Sequence, residues 1–177
     1  MREAQTLSSL KHPAIIDIVG FGPLNDGRQY MVMEFLEGRT LEAEMLETGR
    51  MYTDRALKLA DEVLDALTAA HSVDVIHRDL KPSNVFICKG AGGREFVKLL
   101  DFGLAKQQPV ALVGSAPVGA SVLAGTPEYV APEQATGHAA SKQSDLYSFG
   151  IMLFEMVTGE LPFKGDEKLS GDDRIRG

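Results

Sequence analysis

The sequence predicts an α+β fold, a few strands followed by a mainly helical body. Three patterns lead there. Two β-rich runs, residues 15–19 and 29–36, flank a turn-forming stretch at 22–27. Apolar residues recur at helical spacing from Leu57 to Ala70. A second apolar stretch, 144–158, is long enough for a buried helix and is bounded by Gly159 and Pro162.

Taken in order, residues 2–10 read as the tail of a helix, with Leu7 and Leu10 three apart. Lys11-His12-Pro13 ends it, because proline disfavours helix in the residue before it. The runs 15–19 and 29–36 then form a hairpin across Gly22-Pro23-Leu24-Asn25-Asp26-Gly27. Thr40 suits the cap of a short helix through Leu46, which Gly49 stops. Thr53 suits the cap of the long helix that follows, with Asp54 in its first turn. Leu57, Ala60, Val63, Leu64, Leu67 and Ala70 form its stripe, which reads as core packing and not as a site. Strand signals return at 73–76, 84–88 and 96–100, the last two joined by Gly90-Ala91-Gly92-Gly93. Residues 104–130 read as one long loop rich in Gly, Pro, Ser and Ala, and loops of that length in a compact domain are usually functional or mobile. The final stretch, 164–177, reads as a polar tail.

Composition narrows the function. The 177 residues suit one domain or most of one, and 44% apolar content suits a globular core. A formal net charge of -7 argues against nucleic acid or an anionic membrane as the main partner. Cys88 is the single cysteine, so no intrachain disulfide can form; its apolar surroundings suit a buried small hydrophobe and a cytoplasmic setting. No run reaches the roughly 18 apolar residues of a membrane helix.

The chemistry begins at His77-Arg78-Asp79-Leu80-Lys81-Pro82-Ser83-Asn84. Moving a phosphoryl group to a hydroxyl needs a carboxylate to orient the hydroxyl and take its proton, which suits Asp79. Charge on the moving phosphate needs a cation, which suits Lys81, and a metal ion needs an oxygen ligand, which Asn84 offers. Asp101-Phe102-Gly103 follows the apolar run 96–100, so a strand end places Asp101 beside Asn84, where both suit Mg²⁺. Two further motifs follow, Gly125-Thr126-Pro127-Glu128-Tyr129-Val130-Ala131-Pro132-Glu133 and Ser144-Asp145-Leu146-Tyr147-Ser148-Phe149-Gly150. Each is weak alone; four in this order within about 75 residues are specific.

In these motifs the chain resembles bacterial, eukaryotic-like serine/threonine protein kinases of the Hanks type. The resemblance extends to Arg2-Glu3-Ala4, His12-Pro13, the run 32–38 and Ala131-Pro132-Glu133-Gln134, and covers about Arg2 to Phe163. It implies a protein-kinase-like fold. Residues 1–36 would be a remnant of the smaller lobe and hinge, and 37–163 most of the larger lobe. It implies ATP and Mg²⁺ as cofactors and proteins bearing Ser or Thr as substrates, with Lys81 favouring these over tyrosine.

Residue by residue, it implies Asp79 as catalytic base, Lys81 as phosphate contact, and Asn84 and Asp101 as metal ligands. Thr126 would touch Asp79 and Lys81. Glu3 would pair with the ATP-contacting lysine, while Met33, Glu34, Leu36 and Phe86 would bind the nucleotide, Met33 as gatekeeper and Glu34 to Leu36 as hinge. Leu7, Ile18, His77 and Phe102 would form an apolar spine, and Asp145 would steady the catalytic loop. Arg78 before the aspartate implies switching by loop phosphorylation, with Ser115, Ser121 and Thr126 as candidate autophosphorylation sites.

The chain departs from the family pattern at both ends. Only two residues precede Glu3, so the glycine-rich loop and the strand lysine are absent from these 177 residues, and neither Lys11 nor Lys58 replaces the lysine. Helices expected after Phe163 are absent too, with the arginine that would pair with Glu133. A fragment of an active kinase, with little activity alone, is therefore the expectation. A pseudokinase or protein-binding module is the alternative, which the complete set Asp79, Lys81, Asn84 and Asp101 opposes. A small-molecule kinase fits poorly with the segment 125–133.

Overall fold

The computed structural model describes residues 10–102 and 127–163. Strands β1 (Ile18–Pro23) and β2 (Gln29–Met33) form the expected antiparallel hairpin, with Gly20 opposite Val32 and Pro23 opposite Gln29. Leu24 N–H donates to Arg28 O at 2.7 Å, and Gly27 closes the turn at a φ of 85°. The first strand starts later than the apolar run 15–19 suggests. Ile15, only 1% exposed, instead bridges to Leu99, with Ile16 N–H donating to Leu99 O at 3.0 Å. Pro23 fits within β1 because both strands of a two-stranded sheet are edges.

A second, antiparallel sheet runs β3 (Gly38–Thr40), β4 (Val85–Lys89), β5 (Glu95–Leu99). β4 and β5 match the expected strands to within a residue, joined by a turn with Gly92 and Gly93 at φ of 70° and 76°. β3 has no signal of its own, being three residues long. Gly38 is what admits it: a Cβ there would lie 2.0 Å from Ile87 O, at a φ of 149°.

Helix α1 (Leu41–Thr48) is capped as predicted, Thr40 Oγ1 accepting Ala43 N–H at 3.1 Å, and Gly49 ends it. Helix α2 (Thr53–Ser72) differs in two details. Tyr52, not Thr53, holds the cap position, and Leu57 points outward, 53% exposed. The buried face is Ala56, Leu59, Ala60, Val63, Ala66, Leu67 and Ala70, so four small alanines let the neighbours approach where Leu57 was expected to pack.

The expected strand at 73–76 is a turn. Val73 and Val75 both donate to Ala70 O, which consumes the amides a strand would need, and Asp74 takes a φ of 57°. Val75 is nonetheless buried, so its apolar character serves the core rather than a ladder. After the short helix α3 (Pro132–Ala135), α4 (Lys142–Thr158) opens on a reciprocal pair between Ser141 and Ser144 and closes on Gly159 at a φ of 76°.

The core lies where α2, β5, α4 and residues 14–16 meet, with Leu59, Leu67, Leu99, Met152 and Met156 almost fully buried. Polar contacts also tie α2 to its neighbours. Val97 N–H on the edge strand β5 donates to Glu62 Oε2 at 2.6 Å. Arg55 forks onto Glu95 at 2.8 and 2.9 Å and reaches the buried Glu44 at 2.5 Å, and Arg39 also pairs with Glu44. Those bonds push Arg55 further up. A buried carboxylate is tolerated only with such partners. Residues 2–9 of the expected helix, 104–126 of the expected loop and the tail 164–177 lie outside the described residues.

Candidate active site

The site is built from the loop between α2 and β4. His77 has no exposed surface, and burial pushes its pKa down despite the nearby carboxylates of Asp145, Asp79 and Asp101. The neutral ring matches its two bonds: Nε2–H donates to Leu100 O at 2.9 Å, and Nδ1 accepts Asp79 N–H at 3.4 Å. Its ring lies 4.6 Å from that of Phe102, tilted by 42°. His77 is therefore a packing residue that sets the loop's height.

Asp145, in the first turn of α4, is 1% exposed and takes three bonds. Its carboxylate accepts His77 N–H at 2.8 Å and Arg78 N–H at 2.9 Å, and bonds His71 Nε2 at 2.7 Å. Arg78 sits at a φ of 69°, a conformation that costs a non-glycine residue free energy. Charge-assisted bonds from Asp145 offset that cost. This bend turns the next residue, Asp79, toward the opening.

There Lys81 Nζ lies 3.3 Å from Asp79 Oδ2, both side chains partly accessible. Pro82–Asn84 forms a 3-10 turn that brings Asn84 back under the aspartate, Nδ2 donating to Asp79 O at 2.8 Å. The plane of the amide then directs Oδ1 away from Asp79. Leu100 N–H donates to Asn84 O at 2.9 Å, which sets the end of β5 beside this turn. Asp101 follows, exposed, at a φ of 45°. Asn84 and Asp101 thus supply oxygen donors from adjacent chain ends, a set that fits a hard divalent cation. Among the described residues no cluster of three His, Cys, Asp or Glu could hold a metal alone. An ion here would take its other ligands from phosphates and water.

The segment 127–135 covers the other side of the cleft. Gln134 Nε2 donates to Arg78 O at 3.3 Å, and Ser148 Oγ donates to Tyr129 O at 2.7 Å. Ser144 Oγ donates to Glu133 Oε1 at 2.5 Å, holding that carboxyl below its usual range. Tyr129 donates its hydroxyl to Glu155, and burial raises both groups. Val130 and Tyr129 therefore face Asp79 and Lys81 across a narrow cleft.

A carboxylate and an ammonium, Asp79 and Lys81, line this cleft, with Asn84 bonded to Asp79 behind them, and the comparison with known families agrees with that arrangement. The protein kinase domain matches residues 1–176. The chain belongs to the protein kinase family. It is 46% identical over 165 residues to the serine/threonine-protein kinase pkn2 of Myxococcus xanthus, covering 93% of this chain and 19% of that protein. To the probable serine/threonine-protein kinase PknB of Lactococcus lactis it is 40% identical over 169 residues, 96% of this chain and 26% of that one. PrkC of Bacillus subtilis, another serine/threonine-protein kinase, is 38% identical over 169 residues, 96% of this chain and 25% of its own. The chain spans less than a third of the length of these relatives.

Within this kinase chain, the structure brings Asp79, Lys81 and Asn84 into contact and sets Asp101 beside them. Phe102 packs inward, 1% exposed, as expected. Met33 ends β2 at 40% exposure, and Phe86 lies half-buried on β4 between Thr40 and Lys98. Glu34 N–H donates to Asp17 O at 3.0 Å, and Leu36 is partly buried. Glu3, Leu7, Ser115, Ser121 and Thr126 lie outside the described residues. Sequence reasoning missed Lys98, which is 8% exposed and bonds Glu34 Oε1 at 2.5 Å. Its signal was available: a single charge inside the apolar run 96–100, in a strand expected to be buried.

Proposed function

We propose that the protein containing this chain transfers the γ-phosphate of ATP to serine or threonine hydroxyls of protein substrates. The observation that carries this is the cleft lined by Asp79 and Lys81, with Asn84 bonded to Asp79, on a loop clamped by Asp145. The names of the relatives support the choice of serine and threonine.

In the reaction the substrate oxygen forms a bond to the γ-phosphorus as the bond to the β,γ-bridging oxygen breaks, and ADP leaves. Asp79 orients the attacking hydroxyl and accepts its proton. Lys81 lowers the energy of the charge spreading over the transferred group, and Thr126 supports both. Asn84 and Asp101 would hold Mg²⁺, and the ion would supply charge neutralisation on the phosphates. Residues 33–36 and Phe86 receive adenine, with Glu3 serving the lysine contact to the phosphates. The arrangement uses positioning and electrostatics, which is where phosphoryl-transfer catalysis resides.

We place residues 1–36 in the smaller lobe and hinge and 37–163 in the larger lobe. The need for ATP and the buried thiol of Cys88 support a cytoplasmic site of action. No described helix is long and apolar enough to cross a membrane. Ser115, Ser121 and Thr126 are the proposed autophosphorylation positions, with Arg78 as the phosphate partner. The 177-residue polypeptide by itself holds the base and metal ligands without a glycine-rich loop, so its turnover should be far below that of the full-length protein.

The test is transfer of labelled γ-phosphate by the full-length protein to a mixed protein substrate, with the labelled amino acids identified. Label on serine and threonine supports the proposal. Label on tyrosine, or binding of ATP with no transfer, as a pseudokinase would give, overturns it.

A further inference from the structure

The ion pair between Lys98 and Glu34 lies outside the roles given to the catalytic groups, and its place in the fold is unusual. Lys98 is on β5, amid apolar neighbours, with its side chain largely buried. Its Nζ donates to Glu34 Oε1 at 2.5 Å and to Ile15 O at 3.2 Å. Glu34 Oε1 also accepts Asp17 N–H at 2.8 Å, while Glu34 N–H donates to Asp17 O at 3.0 Å. Glu34 is therefore gripped from both backbone and side chain. Burying a lysine is unfavourable unless its partners are well placed, and here two acceptors are supplied.

The chain reaches Asp101 three residues later, just past the end of β5. Leu99, next to Lys98, bonds Ala14 and Ile16, and Leu100 bonds Asn84. One strand thus carries both the grip on the segment 33–36 and the approach to the metal-type oxygens. We infer that Lys98 is a positioning residue: acting through Glu34, it sets the segment 33–36 at the distance from Asp101 that an adenine nucleotide spans. This rests on the proposed function, which assigns adenine to that segment.

Such a residue affects the adenine end of the ligand and leaves the phosphate end alone, a split that general destabilisation would not produce. The experiment measures competitive inhibition of the full-length kinase by adenosine and, separately, by magnesium tripolyphosphate. Lys98→Met should weaken adenosine by roughly five- to tenfold, about the loss of one positioned hydrogen bond, with tripolyphosphate unchanged. Lys98→Arg should recover most of the loss. Glu34→Gln breaks the same pair from the other end and should reproduce the split; it decides the matter if Lys98→Met does not fold. Equal loss for both inhibitors, or no loss for adenosine, in a folded variant overturns the inference alone. Failure of adenosine to compete with ATP in the unmodified protein overturns the assignment of adenine to residues 33–36, and the inference with it.

Discussion

Asp145 Oδ1 accepts the backbone N–H of Arg78 at 2.9 Å, and Arg78 is held there in a left-handed conformation. The contact joins residues 67 positions apart and decides where Asp79 stands. It makes α4 the foundation of the catalytic loop, although no atom of α4 needs to touch the nucleotide.

Asp145→Asn keeps the size of the side chain and removes one acceptor. One buried N–H, of His77 or Arg78, loses its partner, which costs about 1–3 kcal/mol. Urea denaturation should show that loss, and turnover should fall by at least about tenfold because Asp79 is released from its position. A variant as stable and as active as the original would remove Asp145 from this role.

The register of α2 can be tested by two leucines two positions apart. Leu59 is 2% exposed and Leu57 is 53% exposed. Leu59→Ala should cost about 3 kcal/mol by leaving a cavity, and Leu57→Ala less than about 1 kcal/mol. Comparable losses at both positions would contradict the packing described.

Glu155 carries a pH signature. Burial raises its pKa above the usual 4.5, so folding disfavours its ionised form. Its contribution to stability is present below pH 4.5 and is lost as pH rises through the raised value. Glu155→Gln cannot ionise, so relative to the original it should gain stability between pH 4 and pH 7. Solvent screening of this half-buried group keeps the gain under about 1 kcal/mol. Denaturation midpoints of both proteins at the two pH values check the sign, and His77, common to both, cancels. A variant that loses ground as pH rises would reverse the account.

How far these features were legible in the sequence depends on distance along the chain. The catalytic loop was plain because its residues act on one another within eight positions, as Asn84 reaching back to Asp79 illustrates. The caps at Thr40, Gly49 and Gly159 were plain for the same reason. The outward turn of Leu57 was hidden because alanines and leucines alternate along α2, and only the neighbours' approach selects the alanine-rich face. The apolar run 73–76 imitated a strand because Val75 is a core residue without ladder partners. Lys98 and Glu34 are 64 positions apart, and no local pattern links them.

The central claim is that Asp79 takes the proton from the substrate hydroxyl. Its most direct test is the rate of γ-phosphate transfer by the full-length protein carrying Asp79→Asn, with stability measured alongside. Asparagine keeps the shape but cannot accept that proton, so kcat should fall by about 10²–10⁴ while the denaturation midpoint stays nearly unchanged. Transfer at an undiminished rate in a folded Asp79→Asn protein would contradict the account.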